Sequence, residues 1–323
     1  LILCVTFKLK FELKNLAELL RIEHPIIVAP MFLISNVEMV VAACEAGATG
    51  AFPALNYRSL DELRQAIRDI RSRTDKPFGV NLIVNKSNLK YKGQLEILIE
   101  EKVDYIITSL GSPQETIRSC KPAGIKVFCD VIDANYAKKV EAMGADAVIA
   151  VNSAAGGHCG NLAEKTLIQA IQAECKIPII SAGGIGTKAQ IDEVMKLGAI
   201  GVSVGTIFLA CEEAKISPDY KQALIDYHAK DIVLTTKMSG SHLTVINTPY
   251  VQSLGTKASF LEKLLHKNKW LKKYIKMLLA FKGMRAIEKS TFKSTYETVW
   301  CAGPSIEYVK SIRPLKEIMR DLI

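Results

Sequence analysis

A chain of 323 residues that is 49% hydrophobic can bury one large core, which excludes a disordered polypeptide. Its formal charge of +9 is concentrated: between Thr256 and Lys293 eleven Lys and Arg stand against two Glu, so the rest of the chain is nearly neutral. Eight cysteines form no C-x-x-C pair and no zinc-like spacing with histidine, which argues against a metal site and for free thiols in a reducing cytosol.

Residues 1–14 read as an N-terminal extension; Leu1–Phe7 is apolar but has no basic n-region and no small-residue cleavage site. No apolar run reaches the roughly 18–20 residues that span a bilayer, so a cytoplasmic protein is expected. From Pro25 to about Phe208 short apolar runs alternate with amphipathic stretches. The runs are Ile26–Ala29, Thr49–Phe52, Phe78–Ile83, Tyr105–Thr108, Lys126–Cys129, Ala147–Val151, Ile177–Ile180 and Gly201–Val204. Most are rich in Ile and Val without alternation, the pattern of strands buried on both faces.

Between them, Leu60–Ile70 spaces its apolar residues as a helix does. Ala46-Gly47-Ala48, Met143-Gly144-Ala145 and Leu197-Gly198-Ala199 each place a glycine where a helix ends before a strand. Eight such units predict an α/β fold, a (β/α)8 TIM barrel over residues 15–235, with an open doubly wound sheet as the alternative. Past Leu209 the pattern breaks. A helix is expected over Pro218–His228, a polar loop over Ser239–Pro249, and an amphipathic basic helix or helix pair within Thr256–Lys293. Residues 236–299 read as a helical basic insertion or lid. Residues 300–323, with a helix over Leu315–Leu322, return to the barrel.

Barrel enzymes work at the C-terminal ends of their strands. The seventh run leads into Ser181-Ala182-Gly183-Gly184-Ile185 and a helix, the eighth into Ser203-Val204-Gly205-Thr206. Glycines there let backbone N–H groups approach an anion, so the pair predicts a phosphate site. The sixth leads into Ala155-Gly156-Gly157-His158-Cys159-Gly160, an imidazole on a thin loop at the mouth and the candidate catalytic group. Cys159 has no second histidine placed to activate it. Ala29-Pro30-Met31 offers backbone contacts and an apolar floor for a flat ring. Asn81 buries an amide that needs partners. Ser109 and Asp130 end the fourth and fifth runs, either as site residues or as helix caps. His24, His228 and His266 read as non-functional, and His242 lies in a loop within reach of the mouth.

Taken together these residues resemble the nitronate monooxygenases, formerly 2-nitropropane dioxygenases, from about Asn15 to the C-terminus. The resemblance rests on Pro25–Met31, Lys76–Asn81, Ala155–Gly160, Ser181–Ile185, Val204–Thr206 and Trp300-Cys301-Ala302-Gly303. It implies FMN bound at the mouth, with Asn81, Gly156, Gly183 or Gly184, and Ser203 to Thr206 in contact, and His158 facing the substrate. It also implies the activity: oxidation of alkyl nitronates by O2 to carbonyl compounds and nitrite. The chain departs from the common pattern at Val151 and Ala154, where many members carry Gln or Glu, and at Ile207 and Pro304, where Arg and Gln are frequent. These departures leave FMN binding intact and fall where the substrate is expected to lie. An NAD(P)H-using reductase of the same fold, either an enoyl-acyl-carrier-protein reductase or an NADH:quinone reductase, is the alternative. A protein that binds membranes or acidic surfaces through the basic segment is a minor one. Nucleic acid is not an expected partner, and a homodimer is left open.

Overall fold

The computed structural model describes residues 15–236, 242–256 and 299–323. Eight parallel strands close into a barrel: β1 (Ile26–Val28), β2 (Thr49–Pro53), β3 (Gly79–Ile83), β4 (Tyr105–Ser109), β5 (Lys126–Val131), β6 (Ala147–Val151), β8 (Ile179–Ala182) and β9 (Gly201–Val204). β9 pairs back onto β1 with Ser203 opposite Ile27, which closes the ring. All eight expected strands are present. The seventh lies two residues nearer the mouth than its apolar run because Pro178 has no N–H to give the ladder. Four helices follow β1 to β4: α2 (Val37–Glu45), α3 (Leu60–Arg73), α4 (Tyr91–Glu100) and α5 (Gln114–Cys120). The remaining barrel helices are α6 (Ala134–Met143), α7 (Glu164–Glu174) and α8 (Lys188–Lys196).

Alternate residues of the strands divide the core in two. Ile27, Ala51, Ile107, Ile149 and Ile180 point inward, while Val28, Val80, Ile106, Val127 and Val148 meet the helices. Inside the barrel the Tyr105 ring stacks on Phe128 at 5.1 Å. Gly79 makes room for that ring, since a Cβ there would lie 2.1 Å from it. The short helix α1 (Leu16–Leu20) adds Leu16 and Leu20 to the lumen cluster. Gly144 ends α6 at φ +89°, the left-handed C-cap expected there.

One expected element is different. The stretch Ser239–Pro249 is not a loop throughout, for Leu243–Ile246 forms β11. Its run Leu-Thr-Val-Ile is apolar and β-branched, and it finds two partners. It pairs antiparallel with β10 (Ile232–Thr235) and, through Leu243 and Thr244, with β7 (Gly157–His158). Helix α9 (Pro218–Asp226) ends two residues short of the expected His228. The C-terminal segment lies against the barrel, with Val245 bridged to Cys301, Cys211 bridged to Arg313 and a last helix at Leu315–Arg320. The expected basic helix falls outside the described residues. Among the described residues no helix is long and apolar enough to cross a membrane.

Candidate active site

His158 sits in β7, beyond the C-terminal end of β6, paired with Leu243 of β11. Its ring reaches solvent, yet the atoms crowded about it desolvate it and hold its pKa below the ordinary value of 6.5. No charged group contributes to that shift, so the imidazole is neutral at pH 7 and free to accept a proton. Cys159 beside it is buried and its thiol is pushed up by that burial, which is the opposite of an activated nucleophile. The His242 carbonyl accepts from Cys159 N–H at 3.3 Å.

The histidine loop is tied down by three residues. Asn152, 1% exposed, accepts from Ala154 N–H at 2.7 Å through Oδ1 and donates to the Gly183 carbonyl at 2.9 Å through Nδ2. One side chain thus joins the loop after β6 to the turn after β8. Thr244 of β11 donates to the Ala155 carbonyl at 2.5 Å. Thr206 Oγ1 accepts from Gly303 N–H at 2.9 Å, and a Cβ on Gly156 would stand 2.8 Å from the same oxygen. Gly156 is therefore required by the crossing of the loop over Thr206 and the returning C-terminal segment. Gly157 lies at φ +77° and turns the chain into β7.

Two neighbouring turns present unspent donors. Among the described residues no protein acceptor takes the N–H groups of Gly184 and Ile185, nor those of Gly205, Thr206 and Ile207. Their parent strands β8 and β9 are paired, with Ala182 opposite Ser203. These five N–H groups, unpaired among the described residues, gather where a phosphate site is expected, and unpaired backbone donors of this kind call for an anion. Gly183 is at φ +118°, and a Cβ would fall 2.4 Å from Asn152 Oδ1. The N-terminus of the following helix is closed by its own side chains. Gln190 Oε1 accepts from Gly186 and Thr187 N–H, closing the N-terminus of α8 with a capping box.

The remaining expected residues divide. Asn81, Ser109 and Asp130 all point into the lumen at the mouth and are hydrogen-bonded to one another. Ser203 is buried at the end of β9. Val204 faces the helix layer, leaving only its backbone toward the mouth. Ser181 also points outward, its hydroxyl donated to Glu164 of α7 at 2.9 Å, so its side chain is not at the mouth. The Ala29-Pro30-Met31 turn keeps its apolar surface but not its free backbone. Ser35 Oγ accepts from Met31 N–H at 2.8 Å and donates to the Ala29 carbonyl at 3.0 Å, while Ala29 N–H bonds Val204. Ser35, Asn152 and Thr244 escape a reading of the sequence because each acts on backbone. Only the position of Asn152, ending an apolar strand before a glycine loop, hints at its task.

The family profile for nitronate monooxygenase matches residues 14–91 and 85–323. A (3aS,4S,5R,7aS)-5-hydroxy-7a-methyl-1-oxo-octahydro-1H-indene-4-carboxyl-CoA dehydrogenase of Rhodococcus jostii is 32% identical over 239 residues, 74% of this chain and 67% of that protein. A nitronate monooxygenase of Paraburkholderia phytofirmans is 30% identical over 273 residues, 70% of this chain and 74% of its own length. Among solved structures, FabK from Thermotoga maritima superposes with a TM-score of 0.82 at 30% identity, covering 95% of this chain and 94% of FabK.

Proposed function

The chain belongs to the nitronate monooxygenase family of oxidoreductases, and on that premise we propose that it binds FMN at the barrel mouth and oxidises alkyl nitronates with O2 to carbonyl compounds and nitrite. One observation carries this reading: the unpaired N–H groups of the Gly183 and Gly205 turns adjoin a loop that holds a neutral imidazole. The turns fit a phosphate monoester, which needs short backbone donors and no side chain in the way. Bound FMN would supply the electron-accepting ring; the protein's part is to place the substrate. Asn81, Ser109 and Ser203, with the apolar Ala29, Pro30 and Met31, would hold that ring.

His158 would face the substrate. A neutral imidazole can take the α-proton of a nitroalkane at Nδ1 or Nε2, or as imidazolium hydrogen-bond the charged oxygens of a nitronate. Val151 and Ala154, where acidic or amide side chains are frequent in the family, leave this part of the mouth uncharged.

A second reading has an observation of its own. The 32% identical relative from Rhodococcus jostii is named as a dehydrogenase of a CoA thioester, and FabK shares the fold over nearly the whole chain. The first favours an oxidoreductase acting on a CoA thioester, and the second is consistent with the same barrel serving it; on this reading a nicotinamide nucleotide is the electron partner. The basic residues of 256–293 would then have polyphosphate to meet rather than nucleic acid. The test is anaerobic reduction of the bound flavin with propane-2-nitronate in one vessel and NADH or NADPH in another. Fast bleaching by the nitronate alone supports the first reading, and fast bleaching by the nucleotide alone refutes it.

A further inference from the structure

At the C-terminal ends of β3, β4 and β5, three inward-facing polar side chains form one hydrogen-bonded chain. Asn81 Nδ2 donates to the Ile107 carbonyl at 3.1 Å and to Ser109 Oγ at 2.7 Å; Ser109 Oγ donates to Asp130 Oδ2 at 2.5 Å. The direction is set by chemistry. A carbonyl only accepts, so the Asn81 nitrogen faces Ile107 and Ser109. Ser109 then accepts from Asn81 and has its single proton left for Asp130.

Neither Ser109 nor Asp130 caps a helix. α6 is capped by Asp133, and α5 starts after Pro113. Asp130 takes part in no ion pair among the described residues. An apolar side chain would fill a barrel lumen at less cost than a carboxyl with one neutral donor. The carboxyl is not explained by the fold.

We propose that Asp130 is a second acid–base group of the mouth, acting through Ser109, which takes up a proton from solvent when negative charge arrives at the site and returns it when the charge leaves. With Asp130 ionised, the Ser109 proton is held by the carboxylate. With Asp130 protonated, its O–H can donate to Ser109, whose second lone pair is open, and the Ser109 proton turns toward the mouth as a donor. One proton therefore converts Ser109 from a closed group to an offered one.

The surroundings suit this. Burial pushes the Asp130 carboxyl up to about 6, and only the Ser109 bond pulls it down. The titratable neighbours are neutral at pH 7: the Cys129 thiol on β5, pushed up to about 12, and the Tyr136 phenol on α6, also raised. β6 brings Ile149 opposite Asp130, and β4 brings the hydroxyls of Thr108 and Ser109. The His158 shift has desolvation as its only cause, so the two groups titrate separately.

The experiment has two arms, and only the second rests on the FMN reading. In the first, infrared difference spectra of the purified protein follow the carboxylic-acid C=O band across pH 6. The band should vanish as pH rises, be missing in Asp130→Asn, and persist to higher pH in Ser109→Ala, which loses the one bond favouring the carboxylate. In the second, the flavin of the holoenzyme is reduced anaerobically by dithionite. The flavin gains two electrons, dithionite is oxidised to sulfite, and the Asp130 carboxylate gains one proton from water. The midpoint potential of the wild type should fall with pH by one proton per two electrons more than that of Asp130→Asn over the titration interval. A C=O band unchanged in Asp130→Asn, or identical potential slopes, overturns the proposal. A colourless protein counts against FMN, and the infrared arm then decides Asp130 by itself.

Discussion

Replacing Asn152 by alanine tests how the site is held together. Asn152 is buried and makes two bonds of opposite sense, accepting from Ala154 N–H at 2.7 Å and donating to the Gly183 carbonyl at 2.9 Å. Asn152→Ala removes both and leaves two backbone groups without partners. At about 1–2 kcal/mol for each orphaned group the loss is about 2–4 kcal/mol. For a domain of this size that lowers the melting temperature by roughly 4–10 °C. Because the Gly183 turn carries the unpaired N–H groups of Gly184 and Ile185, part of the loss should appear in cofactor affinity. A share of about 1.4–2.8 kcal/mol weakens FMN binding roughly ten- to a hundredfold. The assay is thermal melting of the holoenzyme together with fluorescence titration of FMN into the stripped protein. Asn152→Asp separates the two bonds: it keeps an acceptor for Ala154 but sets an oxygen against the Gly183 carbonyl. An Asn152→Ala protein with wild-type FMN affinity and melting would refute the idea that this side chain couples histidine loop to phosphate turn. An Asn152→Asp protein with wild-type FMN affinity would refute the part assigned to Gly183.

The protein should copurify with FMN; chromatographic identification of FAD in its place would overturn the phosphate-turn argument. His158→Asn should retain FMN and lose activity, on neutral nitroalkanes alone if His158 is a base, or roughly ten- to a hundredfold on preformed nitronates as well if it orients the anion. Because desolvation lowers the His158 pKa, base catalysis should fade as pH drops below 6.5, and that acid limb of kcat/KM should be absent in His158→Asn; a limb above 6.5 would contradict the local environment. Gly183→Ala should destabilise the protein and release FMN, since the Cβ meets Asn152 Oδ1 at 2.4 Å with φ at +118°. Gly205→Ala, whose Cβ meets nothing nearer than Met31 Sδ at 3.6 Å, should leave melting close to wild type; equal losses in both variants would rule out the steric account.

The eight barrel strands were legible because their job is repetitive. A strand buried on both faces must be apolar throughout, and an α-to-β turn that needs a left-handed residue takes glycine, as at Gly144. The glycine turns after β8 and β9 and the histidine loop were legible for a related reason: backbone that must come close to something else forbids a Cβ, and glycine marks the place. Position in space carries no such mark. Leu243–Ile246 is a strand only because β10 and the histidine loop offer their edges to it. Whether Ser181 faces the mouth or α7 depends on the in–out parity that barrel closure imposes, and that parity turned it to Glu164. Ser109 and Asp130 looked like helix caps or site residues alike, until strand register aligned them with Asn81 and left the caps to other residues. The sequence by itself determined which segments fold and where the backbone must stay bare. The tertiary structure decided which polar side chains meet, because hydrogen bonds between strands depend on register across twenty or more residues, and no local pattern encodes that.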